Sequence, residues 1–144
     1  MNIPIITDYE IGRTSGYGKI LASIGRELCK LGHNVWMYGF ESGAAANHNE
    51  PFPIVPTNPS QIFAQLDAIK NESDFVIVAC DLELHGYMVE RTQIPYVGIF
   101  VIEGENIQFP TRMTNIIQLI DYPCVITKHG QSICDNYDIK TTFT

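Results

Sequence analysis

Short β-branched runs alternate along this chain with segments of helical period, and few folds accommodate that alternation. Ile3 to Thr7, Asn34 to Gly39, Pro53 to Val55, Asp74 to Ala79, Tyr96 to Ile102 and Cys124 to Thr127 each read as a strand. Strands of this kind, buried on both sides and separated by helices, belong to a parallel sheet covered by helices. The expected fold is therefore α/β: a Rossmann-like, doubly wound parallel sheet with helices on both faces, in a single domain spanning residues 1–144.

The best helix lies between the first two strands. Ile20, Leu21, Ile24, Leu28 and Leu31 share one face, Lys19, Arg26, Glu27 and Lys30 take the other, and Gly32 ends it. Pro59 at a first-turn position opens a helix carrying Ile62, Phe63, Leu66 and Ile69. Met113, Ile116, Ile117 and Ile120 mark another before a breaker at Asp121-Tyr122-Pro123, and a last short helix runs Gly130 to Tyr137. Gly43 to Glu50 reads as a loop, and Lys140 to Thr144 begin a further strand.

Composition narrows the class. With 45% apolar and 17% charged residues, 144 residues supply a core without cross-links. Cys29, Cys80, Cys124 and Cys134 form no C-x-x-C pair and read as reduced thiols in a cytoplasmic protein. No apolar run is long enough for a membrane span, and no basic residue precedes Ile3 to Ile6 as a secretion signal requires. Nine basic against sixteen acidic side chains leave a net charge of −7, which argues against an electrostatic grip on nucleic acid or anionic membrane.

In an open parallel sheet, ligands bind outside the carboxyl ends of the strands, so the residues that follow each strand are the informative ones. After the first strand, Thr7-Asp8 leads through Gly12 to Ser15-Gly16-Tyr17-Gly18 and into the amphipathic helix. Glycines allow close backbone approach, and a helix N-terminus offers free N–H groups to a phosphate or a sugar hydroxyl. The same glycines also fit a turn that merely lets the chain enter a helix. The dinucleotide fingerprint fails because Leu21 stands where its third small residue belongs, and a P-loop fails because Lys19 is followed by Ile20.

Asp81 follows the fourth strand, and Glu103 and Glu105 follow the fifth. A carboxylate at this edge can serve as a general base or hold a hydroxyl, although Asp81 also fits a helix cap and the two glutamates solvated loop positions. Thr127 or Lys128 leads from the sixth strand into the last helix. His85 and His129 lack metal-ligand spacing, so no metal site is expected, and Cys80 has no partners that would make it a nucleophile.

Three stretches, taken together, resemble the N-terminal domain of GT-B fold glycosyltransferases, particularly the retaining group that uses nucleotide-sugar donors. The first runs from Ser15-Gly16-Tyr17-Gly18 through Arg26-Glu27-Leu28-Cys29-Lys30-Leu31-Gly32-His33-Asn34-Val35, like that family's glycine-rich loop, helix and L-x-x-x-G-H-x-V junction. The second is Ile94 to Gly104, and the third is Cys124 to Gly130 followed by Tyr137-Asp138-Ile139-Lys140. The resemblance implies that Gly16, Tyr17 and Gly18 lie near the donor's phosphates, and that Asp81, Glu105 and Lys128 face substrate. Many members carry a histidine just after the fifth strand, near the reacting sugar; this chain has Val101-Ile102-Glu103 there, so the histidine's role does not carry over and Glu103 is the catalytic candidate.

It also implies transfer of a sugar, hexosyl in type, from a nucleotide-sugar co-substrate to a hydroxyl acceptor, with no separate cofactor. The family's donor-binding C-terminal domain is not visible in these 144 residues. The expectation is a fragment or a short gene product, inactive alone, that pairs with a C-terminal domain or self-associates through its cleft face. Tyr17, Ile102 and Phe109 would then stand uncovered. A non-catalytic binding or assembly module that keeps the fold is the alternative. A phosphoacceptor receiver would use Asp8, Asp81 and Lys128, but the usual early acidic pair and Lys-Pro step are missing.

Overall fold

The structure is a computed structural model that describes residues 1–8, 16–40, 49–102 and 111–143. The elements in chain order are β1 (Asn2–Asp8), α1 (Gly16–Lys30), β2 (Asn34–Phe40), β3 (Ile54–Thr57), α2 (Pro59–Glu72) and β4 (Val76–Ala79). They continue with α3 (Leu82–Thr92), β5 (Tyr96–Phe100), α4 (Thr111–Leu119), β6 (Tyr122–Val125), α5 (Lys128–Asn136) and β7 (Thr142–Phe143). The strands form one sheet in the order β3-β2-β1-β4-β5-β6-β7, with every pairing parallel. The chain thus winds outward one way from β1 and returns to wind the other way from β4, which is the doubly wound arrangement.

Side chains alternate between the faces with the strand period of two, and each face has its own core. Ile3, Ile5, Val35, Met37, Ile77, Ala79 and Ile99 pack with Leu21 and Ala22 of α1. Ile6, Val76, Val78, Tyr96, Phe100 and Val125 pack with α2, α3, α4 and α5 through Ile62, Leu66, Met88, Ile117 and Cys134. Right-handed crossovers require this split, because only β1-α1-β2 carries a helix in the leftward direction.

Local chemistry sets the boundaries. Asn58 caps α2 by accepting a hydrogen bond from Gln61 N–H at 2.9 Å, and Pro59 occupies the first turn. At the end of α1, His33 N–H donates to Leu28 O and Gly32 N–H to Cys29 O, a Schellman closure that Gly32 permits with its φ of +83°. Leu31 therefore lies beyond the helix and is 73% exposed, not on the apolar face its spacing predicts. The face is completed instead by Gly25, where a Cβ would stand 2.7 Å from the Phe52 ring and 2.9 Å from Ile5 Cδ1.

Three further boundaries differ from the sequence reading. The helix after β1 begins at Gly16 rather than after Gly18. Tyr122 and Pro123 open β6 instead of breaking the chain, because β7 pairs only with Cys124 and Val125 and so asks no ladder N–H of the proline. Thr127 does not end that strand but caps α5, which starts at Lys128 rather than Gly130.

Candidate functional site

The five described helices begin at the carboxyl edge of the sheet and run back along it, so their N-termini and the partial positive charge of each lie at that edge. The switch point lies between β1 and β4, and the strand order sets β1, β4, β5 and β6 side by side. Neighbouring strands stand about 4.8 Å apart, so the segments that follow them can share one ligand.

Thr7 is the polar residue closest to the switch point on the α1 side. It pairs in register with Gly39 of β2 and Ala79 of β4, and it shares a face with Ile3 and Ile5. A glycine and an alanine flank it, so its row of the sheet offers no polar neighbour. Its hydroxyl is fully buried and finds no hydrogen-bond partner among the described residues. A buried hydroxyl left in this state costs about 1–3 kcal/mol, which makes it a standing donor for a ligand.

Gly16, Tyr17 and Gly18 form the first turn of α1, Gly16 exposed and Gly18 buried. A Cβ on Gly16 would meet no atom of the described residues within 4 Å. The Tyr17 hydroxyl accepts a hydrogen bond from Val101 N–H at 3.0 Å, joining the start of α1 to the segment after β5. Tyr17 also packs against the α1-side core. The structure thus gives Tyr17 a tie between two strand ends.

Asp81 holds the N-cap position of α3, yet its carboxylate makes no capping hydrogen bond and the residue is exposed. The capping role is left to its backbone, whose carbonyl accepts from Leu84 N–H at 2.9 Å. Lys128 is the exposed first residue of α5, held by Thr127, whose hydroxyl accepts from Gly130 N–H at 2.9 Å. Gly130 lets α5 approach the end of β5, since a Cβ there would lie 3.3 Å from Ile102 Cβ.

Ile102 is only 6% exposed and belongs to the core, so it does not stand uncovered in a cleft as its place in the sequence implies. Tyr17 is half-buried for the same kind of reason, being tied to Val101. Glu103, Glu105 and Phe109 lie outside the described residues, as does Gly12. Among the described residues, no three His, Cys, Asp or Glu side chains converge as metal ligands do, and no helix is long and apolar enough to cross a membrane.

His85 sits inside the fold and takes no part in the edge. It is fully buried on α3, with Nδ1 2.8 Å from the Tyr96 hydroxyl and Nε2 3.1 Å from Ile99 O. A carbonyl only accepts, so Nε2 carries the proton and Nδ1 accepts from Tyr96. Burial pushes the imidazole down to about 4, against smaller upward pulls from the Ile99 and Cys80 carbonyls.

The described edge can therefore hold an anion or a polar hydroxyl-bearing group through helix N-termini, the Thr7 hydroxyl and Lys128, with the Asp81 carboxylate left free to accept from a donor. Fold and edge define the class: a Rossmann-like α/β domain with its candidate site at the topological switch point.

No family model matches the sequence, and no curated protein does. Among solved structures the chain is similar to an α-glucosyltransferase (AGT) in complex with UDP, with a TM-score of 0.57 at 15% identity. The likeness covers 92% of this chain and 36% of that one. The fold is thus one that occurs within a glycosyltransferase, and this chain spans about a third of that protein's length.

Proposed function

We propose that this chain is the N-terminal, acceptor-side domain of a GT-B glycosyltransferase that transfers a hexosyl group from a nucleotide sugar to a hydroxyl acceptor. The observation that carries the reading is the likeness over 92% of the chain to part of a glucosyltransferase seen with UDP. The helix N-termini at the carboxyl edge and the Thr7 hydroxyl, buried without a partner among the described residues, support it, because a diphosphate is a group such an edge suits.

In this reading Gly16, Gly18 and Thr7 approach the donor's phosphates, and Tyr17 holds the segment after β5 in register with them. Asp81, Glu105 and Lys128 face substrate, and Glu103 stands at the reacting hydroxyl as base or hydrogen-bond acceptor. Positioning and electrostatic stabilisation are the catalytic terms available to such a site. The chain provides one wall of the cleft, and a C-terminal domain or a second copy closes it.

The test is an amide-resolved NMR titration of the chain with UDP, beside an assay of sugar transfer from UDP-glucose. The expected result is weak, saturable shifts at Thr7, Gly16, Tyr17, Gly18, Asp81 and Lys128, with no transfer by the chain alone. Unmoved edge amides at millimolar UDP would replace this reading with a binding or assembly module. Transfer by the isolated chain would overturn the half-cleft.

A further inference from the structure

The helices that begin at the carboxyl edge finish at the amino edge, and the ends of α3 (Thr92) and α4 (Leu119) flank a groove of about 510 Å³ there. Glu90, Gln93, Ile94, Leu119, Asp121 and Tyr122 line it. We propose that this groove docks a segment of a partner polypeptide that presents an arginine or lysine beside an apolar side chain.

Charge complementarity selects the basic group. Two helices end beside the groove, and a helix C-terminus carries roughly half a negative charge on its last carbonyls. Glu90 and Asp121 add two carboxylates, and neither makes an ion pair among the described residues. Asp121 Oδ2 accepts from Tyr96 N–H at 2.9 Å, which fixes the carboxylate in place and leaves its other oxygen to a ligand.

No lysine or arginine appears among the lining residues. Two cations stand beside the groove: Lys70 reaches from α2 to hydrogen-bond the side chain of Gln93, itself a lining residue, and Arg91 rests 5.1 Å above the Phe63 ring. A guanidinium fits best, because it offers several donors in a plane and sheds water more readily than an ammonium.

The rim selects an apolar neighbour for that cation and rules against a bare ion. Tyr122 is 60% and Leu119 47% exposed, and a small cation would leave both uncovered. Aromatic side chains with an apolar body and a polar tip are those that most often anchor interfaces. A second copy of this chain is the poorer occupant, because at a net charge of −7 its surface repels an acidic groove. The inference does not depend on the glycosyltransferase reading, since the groove lies at the other end of the strands.

The experiment selects peptides from a random display library on the intact immobilised chain, then measures a synthetic copy of the dominant sequence by fluorescence anisotropy. Enriched sequences should carry Arg or Lys next to an aromatic or aliphatic residue, and binding should weaken with added salt. Glu90→Lys and Tyr122→Thr, both at exposed positions, should each weaken it about tenfold, while Glu83→Lys at the other end of α3 leaves it unchanged. Acidic or neutral selected sequences, no enrichment, or affinity unmoved by both groove variants would overturn the proposal. So would a dimer in sedimentation equilibrium that Tyr122→Thr dissolves.

Discussion

His85 makes stability depend on pH in a way that can be worked out in advance. In the fold its imidazole is neutral, locked between the Tyr96 hydroxyl and Ile99 O, with burial holding its pKa at about 4. Gly98 makes the pocket possible, because a Cβ there would stand 2.8 Å from Ile120 Cδ1 and 3.3 Å from His85 Cε1. In the unfolded chain the ring returns to its ordinary 6.5. The unfolded state therefore takes the proton first as pH falls, so stability is full above 6.5, declines between 6.5 and about 4, and levels below.

At about 1.36 kcal/mol per pH unit, that interval totals roughly 3 kcal/mol, a large part of the stability of a domain this size. Urea unfolding at pH 7.5, 6.5, 5.5 and 4.5 measures it, with His85→Asn subtracting the carboxylates that titrate in both proteins. His85→Asn should be less stable at pH 7.5, since it removes ring packing and a partner of Tyr96, and the gap should close by about 3 kcal/mol toward pH 4.5. Parallel curves, or an imidazole that NMR finds titrating at or above 6.5, would refute the account.

Three further outcomes follow from the geometry. Thr7→Val exchanges a buried hydroxyl with no partner among the described residues for a methyl, so it should raise the unfolding free energy in urea by about 1 kcal/mol while weakening the response to UDP; lower stability with UDP binding intact would remove Thr7 from the site. Gly25→Ala should lower stability by about 1–3 kcal/mol in thermal melts, since the Phe52 ring stands 2.7 Å from the new Cβ and outweighs alanine's better helix propensity; a rise in melting temperature contradicts it. Tyr17→Phe should cost about 1 kcal/mol and speed amide exchange at Val101, and unchanged exchange there would mean the tie is not formed.

What the sequence reveals and what it hides divide along contact range. The parallel sheet, the Asn58-Pro59 start of α2 and the Gly32 stop of α1 are legible because the alternation of strand and helix and the caps are written in neighbouring residues. The misplaced boundaries depend on distant elements: Pro123 is tolerated because β7 is too short to reach it. Thr7 reads as one more β-branched strand residue, and only its register with Gly39 and Ala79 shows that its hydroxyl has no partner among the described residues. Val101 lies 84 residues from the tyrosine that binds it, a contact no local pattern announces. The buried role of His85 likewise depends on Tyr96 and Ile99 arriving from the next strand.

The charges at the helix starts bear on what the carboxyl edge is for. Helices ordinarily place Asp or Glu in the first turn, where the macrodipole favours them by about 0.3–1 kcal/mol each. Here α1, α2, α4 and α5 carry no acidic residue in that turn, and Lys19, Arg112 and Lys128 stand there instead. For the fold alone these three cations are on the wrong end. For an anion brought to that edge they are on the right one, since each adds to the field of the N–H groups it sits beside. The exception is α3, with Asp81 at its N-cap and Glu83 in its first turn, so the described part of this edge carries charges of both signs and the net charge of −7 does not fix its local field. The amino edge is mixed likewise: Lys30, Lys70 and Arg91 stand in the last turns of α1, α2 and α3, while Glu90 and Asp121 line the groove there. An anionic ligand and a basic partner segment would therefore be selected by particular side chains, Lys19, Arg112 and Lys128 at one end and Glu90 and Asp121 at the other, and not by a uniform field at either end.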